Sequence, residues 1–250
     1  MNNKYWNSLA ENFTDQVMEI STYDQRGVLK KEIRRTAKKA KVAADLGCGT
    51  GGLLAQLSPH FKTVYAVDYA IELLQQARCR NSFSNIKYIH YNLAGNKALS
   101  LKADVTFCVN ALISPNSDQR EKIARCVWRT TKRKGVSIFV VPAFESVMNT
   151  YHAIIRCQTR EGEARHHSVR HMDRLHKKEV KSAIDGIVDI GGTLTKCYTQ
   201  DEVAVFLSDT GYKVERVRRI EYPWSEELDH PPRWLKNPYP WDWLVFARKI

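Results

Sequence analysis

The sequence predicts an α/β fold: a mostly parallel seven-stranded sheet with helices on both faces, an antiparallel closing pair, and an insertion after the fifth strand. Three observations carry this. Short apolar runs that end in a polar residue alternate with stretches whose apolar residues recur every three or four positions, the pattern of β–α units. The first run, Val42 to Asp45, passes directly into the glycine-rich turn Gly47-Cys48-Gly49-Thr50-Gly51 and then an apolar helical pattern. The last two runs, Lys213 to Tyr222 and Trp241 to Arg248, alternate as strands and are joined by a proline- and tryptophan-rich linker rather than a helix.

The chain has 250 residues, 43% hydrophobic content and a formal net charge of +12. That length suits one sizeable domain with an insertion. No apolar run is long enough to span a bilayer, and no basic-then-apolar leader opens the chain. The cysteines are scattered without a CxxC pair. This argues against a zinc site and against a disulfide framework, and predicts a cytoplasmic setting. The basic balance suits nucleic acid or anionic small molecules. Two segments carry much of it, 30–41 and the histidine-containing 165–181. Both read first as solvated helix faces.

Taken in order, the spacing predicts helices over 5–18 and 27–39, strand 42–46, and a short helix from Leu53 to Leu57. Strand Thr63 to Asp68 comes next, then a helix ending near Asn81, strand Ile86 to Tyr91, strand Asp104 to Asn110 and helix 117–131. A turn at Lys134-Gly135 leads into strand Val136 to Val141. Within 142–199, Tyr151, Ile154 and Ile155 make an apolar helical face, and 187–194 reads as a β-turn or short hairpin. Thr199 and Glu202 form a capping-box pattern at the start of a helix that Gly211 ends.

The glycine turn places backbone N–H groups at the C-terminal end of a strand, where a ligand can approach closely. A pyrophosphate there would lie near Asp45, and two like charges at ~4 Å repel by roughly 4 kcal/mol at an effective dielectric of 20. A phosphate-free ligand with a cationic end fits better. Asp68, at the tip of the second strand, stands where a carboxylate grips both hydroxyls of a ribose. Ribose, adenine and a cationic amino-acid tail together describe S-adenosylmethionine.

At these residues the sequence resembles the class I, Rossmann-like S-adenosylmethionine-dependent methyltransferases. The acid and Gly-x-Gly-x-Gly motif stands complete at Asp45 to Gly51. The resemblance implies a single methyltransferase domain: lid helices over 1–41, a cofactor-binding core over 42–141, a substrate cap over 142–199, and a closing helix and strands over 200–250. It implies cofactor contacts from Asp45, Gly47, Gly49, Gly51, Asp68, Tyr69, Asn92, Leu93 and Asn110, with Tyr5, Trp6 and Phe13 as candidate covers. Position 92 usually carries an acid in this family; Asn92 accepts through its amide oxygen without bringing a charge. Asn110 faces the transferable methyl group in such a fold. It is followed by Ala111-Leu112-Ile113 rather than the Pro-Pro-aromatic string that holds the lone pair of nucleobase or protein-amide nitrogens.

Methyl transfer from a sulfonium needs orientation above all, so no catalytic residue declares itself. Tyr151 and His152 are the candidates, and Tyr151, His152 and Trp224 the first expected acceptor contacts. The linker's Trp224, Trp234 and Tyr239 either wall a pocket or form a packed clasp. The favoured acceptor is a small molecule, planar or anionic. An RNA methyltransferase and a non-catalytic cofactor binder remain open as alternatives.

Overall fold

A computed structural model of the chain describes Trp6 and residues 19–250. The expected lid helix over 5–18, with Tyr5 and Phe13, lies outside the described residues apart from Trp6. Helix α1 (Ile20–Tyr23) and α2 (Val28–Ala37) lead into β1 (Val42–Leu46). The α/β units follow: α3 (Leu54–Leu57), β2 (Thr63–Asp68), α4 (Ile71–Arg80), β3 (Ile86–His90), β4 (Ala103–Val109), α5 (Ser117–Thr130) and β5 (Thr131–Pro142). The segment after β5 contains α6 (Phe144–Arg160), α7 (Arg165–Glu179) and the strands β6 (Val180–Ser182), β7 (Ile187–Ile190) and β8 (Thr193–Lys196). The chain then runs through α8 (Gln200–Asp209), β9 (Tyr212–Glu221) and β10 (Trp241–Lys249).

Seven strands form one sheet in the order β3-β2-β1-β4-β5-β10-β9. The pairs from β3 to β5 are parallel, and β10 runs antiparallel to both β5 and β9. This is the predicted architecture. Its strand order reverses beside β1, and in open α/β sheets such a switch point opens a crevice at the strands' C-terminal edge. β6, β7 and β8 form a separate antiparallel sheet, with the hairpin expected near 187–194 turning at Gly191-Gly192.

Each face of the large sheet buries its own core. On one, Ala43, Val105, Phe107, Leu244 and Phe246 pack against Leu29 and Ile33 of α2, Leu54 and Leu57 of α3, and Leu74 and Ala77 of α4. On the other, Ala44, Cys108, Phe139, Trp243 and Val245 pack against Ala124 and Val127 of α5 and Val203 and Leu207 of α8. The central strands are mostly apolar because both faces are covered, with Thr106, Thr131 and Ser137 hydrogen-bonded to one another between them. The α8 capping box forms as the spacing predicts, with Glu202 N donating to Thr199 Oγ1 at 3.2 Å.

Most boundaries fall within two residues of the sequence reading, and the largest difference is at β5. β5 begins at Thr131 rather than Val136, because Lys134 takes a left-handed φ of 60° and Gly135 packs close to the carbonyl oxygen of Asp104. The expected turn is thus an irregularity inside a longer strand, where its register against β4 shifts.

Candidate functional site

The glycine turn is shaped by β2. Gly47 N and Cys48 N both donate to Val67 O, at 2.8 and 3.1 Å, and Gly51 N closes onto Cys48 O at 2.9 Å. Gly47, Gly49 and Gly51 all take left-handed backbone conformations, with φ of 85°, 52° and 82°. A side chain is barred at Gly47 by more than conformation, since a Cβ there would lie 2.7 Å from the Cβ of Ala111. The loop's backbone is therefore bare on the side that faces the sheet's C-terminal edge. Glu19, which the sequence reading missed, closes its far end: Thr50 Oγ1 donates to Glu19 Oε1 at 2.7 Å, and any Cβ at Gly52 would meet the Glu19 carboxylate.

Asp45 and Asp68 stand on either side of this turn. Asp45 is 2% exposed, and no described residue donates a hydrogen bond to its carboxylate. Burial, and then the neighbouring charge of Asp68, push its pKa up to about 7. Asp68 accepts from Gly49 N and from Ala70 N, each at 2.9 Å, so its carboxylate also organises the turn. Burial raises its pKa, and these backbone donors oppose the rise. Tyr69 follows, half-buried, its hydroxyl pushed up to about 12 by burial and by Asp68. Beyond β3, Asn92 is exposed, its amide oxygen accepting from Ala94 N at 2.9 Å, while Leu93 is buried beside it. All of the expected cofactor residues but Asn110 thus cluster at the ends of β1, β2 and β3.

Asn110 follows β4 with φ of 49°, its N–H donating to Val140 O at 2.9 Å. Its Nδ2 donates to Asp242 Oδ2 at 3.4 Å. Asp242 reaches this edge because β10 is antiparallel: its residue 242 pairs with Pro142, at the C-terminal end of β5. Asp242 is 4% exposed, and burial followed by the charge of Glu227 raises its pKa to about 7. Glu227, in the linker between β9 and β10, accepts from the Tyr222 hydroxyl at 2.8 Å. Glu227 is exposed to solvent on one side, and partial burial raises its pKa. Sequence reading missed Asp242, Glu227 and Tyr222. The signal was a lone acid inside the otherwise apolar run Trp241-Asp242-Trp243-Leu244-Val245.

The three expected acceptor contacts separate. Tyr151 is buried between α6 and α7 with Ile155 and Met172, and its hydroxyl donates to Glu179 Oε2 at 2.8 Å. Its pKa is raised by burial and by that carboxylate, so it is poorly suited to act as a base. His152 is exposed on the outer face of α6. Trp224 is 3% exposed, packs with Ala153 and Leu235, and donates from Nε1 to Lys236 O at 2.8 Å. Of the two linker arrangements, the packed clasp describes Trp224. Trp234 lies under the guanidinium of Arg160, 3.9 Å from its ring centroid. In the histidine-rich α7, His167 lies 3.0 Å from Glu163 and His171 lies 3.0 Å from Gln158.

Comparison with known proteins agrees with this geometry. Residues 43–135 match the family model of a methyltransferase domain. Over 99 residues the chain is 30% identical to malonyl-[acyl-carrier protein] O-methyltransferase 2 of Coxiella burnetii, a match covering 36% of this chain and 40% of that protein. The chain spans about two fifths of the length of the curated relatives it matches. Among solved structures, the DhpI complex with S-adenosylhomocysteine superposes with a TM-score of 0.63 at 15% identity, over 99% of this chain and 94% of that one. The N-methyltransferase NodS of Bradyrhizobium japonicum, also with S-adenosylhomocysteine, gives 0.62 at 10% identity over 98% and 97%. Residues 43–135 thus resemble a methyltransferase domain, and the chain shares its overall fold with these two structures.

Proposed function

We infer that this protein transfers a methyl group from S-adenosylmethionine to a small-molecule acceptor. One observation carries the reading: a bare glycine turn, a buried carboxylate without a described donor, and a second carboxylate at the β2 tip meet at one sheet edge. A pyrophosphate fits poorly against Asp45, whereas an amino-acid ammonium would supply a donor that no described residue provides. On this reading Gly47, Gly49 and Gly51 admit the ligand's amino-acid end and Asp45 faces its ammonium. Asp68 accepts from the ribose hydroxyls, and Tyr69, Asn92 and Leu93 flank the adenine. The sulfonium of the bound cofactor supplies an activated methyl group, and the protein's part is to hold the acceptor in line and exclude water.

The acceptor would enter beside Asn110, between the end of β4, the 142–199 segment and the 223–240 linker. The family match and the name of the Coxiella relative support methyl transfer. Titration calorimetry tests the cofactor reading. Binding of S-adenosylhomocysteine without binding of NAD is expected, and the reverse pattern rejects it.

A further inference from the structure

The described residues hold a second acidic centre, distinct from the pair Asp45 and Asp68. Glu179 from the end of α7, Glu227 from the linker and Asp242 from the start of β10 converge from three segments. The charge that acts on Asp242 is that of Glu227, and those on Glu227 are Glu179 and Glu226. Asp45 and Asp68 stand on the neighbouring strands β1 and β2, whereas Asp242 stands on β10, so the two centres occupy different places along the sheet. Although the chain carries a net charge of +12, no lysine or arginine is among the charges acting on Asp242 or Glu227.

The donors within the cluster are already committed. Tyr222 donates to Glu227, Tyr151 to Glu179, and Asn110 Nδ2 to Asp242 Oδ2. One acceptor is left over: Asn110 Oδ1 is buried without a hydrogen-bond partner, beside the 4% exposed Asp242. A buried acceptor without a donor costs about 1–3 kcal/mol, more when charged. What would complete the site is a positively charged group with several N–H bonds. The basic face of α7, which suggested an anionic acceptor, is exposed to solvent instead.

We propose that the acceptor is a cationic aliphatic amine, seated between Asp242 and Glu227 beside Asn110 and methylated on nitrogen. This rests on the methyl-transfer reading above. An aliphatic ammonium has no free lone pair, and the cluster provides what it needs. A proton passes from the ammonium to the Asp242 carboxylate, which becomes a neutral acid. The freed nitrogen lone pair attacks the methyl carbon, and the carbon–sulfur bond breaks with its electron pair left on sulfur. The product leaves as an N-methylammonium, and Asp242 returns its proton to water. The absence of a Pro-Pro-aromatic string after Asn110 agrees, because a localised lone pair does not need the support that a conjugated nitrogen does.

The test uses the full chain with S-adenosylhomocysteine present. Alkylamines, α,ω-diamines and arylethylamines are compared with carboxylic acids and alcohols of the same skeletons, by thermal shift and by transfer of labelled methyl from S-adenosylmethionine. Amines are expected to raise the melting temperature and to yield N-methyl products, and the acids and alcohols to do neither. Glu227→Gln, at an accessible position, should raise the half-saturating amine concentration at least tenfold while leaving S-adenosylhomocysteine affinity within twofold. Asp242→Asn should abolish amine methylation with the same cofactor affinity. The proposal is overturned by binding of S-adenosylhomocysteine with a response to acids alone, or to no member of the panel. It is equally overturned if Glu227→Gln leaves amine saturation unchanged, or if the loss in Asp242→Asn falls on cofactor affinity. Failure to bind S-adenosylhomocysteine at all rejects the methyl-transfer reading, and this proposal with it.

Discussion

Asp45→Asn should make the ligand-free protein more stable as pH rises while crippling its cofactor site. The carboxyl is 2% exposed, and burial lifts its pKa from 3.8 to about 7. A raised acid pKa means the folded protein holds its proton to higher pH than the unfolded chain does. Stability is therefore greatest below about pH 4 on this account and falls as pH climbs through the folded value. Each pH unit in that window costs about 1.4 kcal/mol, so ionised Asp45 burdens the fold by about 4 kcal/mol above neutrality, an upper figure for a group coupled to Asp68. Asparagine keeps the shape and removes the charge. Urea unfolding of both proteins between pH 4.5 and 8 isolates the effect, because the other titrating groups cancel in the difference. The variant should gain on the wild type by about 1 kcal/mol per pH unit up to pH 7 and then hold level. Calorimetry on the same samples should show S-adenosylhomocysteine affinity falling at least tenfold. A stability difference identical at pH 5 and pH 8 refutes the reasoning, since Asp45 would then be ionised throughout.

Asp68→Ala removes the acceptor for Gly49 N and Ala70 N, at about 1.5–3 kcal/mol for each charge-assisted bond. It should lower the melting temperature as well as cofactor affinity, with Asp68→Asn intermediate in calorimetry and thermal melts. Gly47→Ala combines a φ of 85° with a 2.7 Å clash against Ala111 and should cost about 1–3 kcal/mol in chemical denaturation. Gly191→Ala, with open space around it and a φ of 57°, should cost less. Trp224→Ala opens a void beside Ala153 and Leu235 and should cost about 3–5 kcal/mol, while S-adenosylhomocysteine affinity of the folded fraction is retained. Charge reversal at Lys30, Lys31 and Arg34 should leave turnover unchanged, and salt-sensitive tRNA binding that vanishes together with activity would favour an RNA acceptor.

The proposed cofactor half of the site was legible because its parts are local: one strand, one turn and one strand tip within 42–68, where glycine positions and acid spacing are visible by inspection. Asp45, the three glycines and Asp68 all fall where the spacing places them. The proposed acceptor half was not legible, because it is assembled by topology. Asn110, Tyr222 and Asp242 are far apart in the chain and meet only because β10 enters the sheet antiparallel beside β5. Helical periodicity made Tyr151 conspicuous, but an apolar face with a polar tip is also what a helix hairpin buries, and Tyr151 spends its hydroxyl on Glu179. Trp224 misled in the same way, as its indole stabilises the linker against α6.

The insertion of β10 between β5 and β9 also dictates an order of assembly. During synthesis β9 emerges before the strand that joins it to the rest of the sheet, so until residues 241–249 are available, β5 and β9 each present an unpaired strand edge. β10, which follows the other six strands of this sheet in sequence, is an interior strand, buried on both faces. A nascent chain stalled before Trp241 would already contain the glycine turn, Asp45 and Asp68, yet would lack Asp242 and the closure of the sheet. Competence to hold the cofactor would thus be laid down early, and competence to hold an acceptor only when the final strand locks in. Exposure to aggregation in the interval would be set by how fast that strand is delivered.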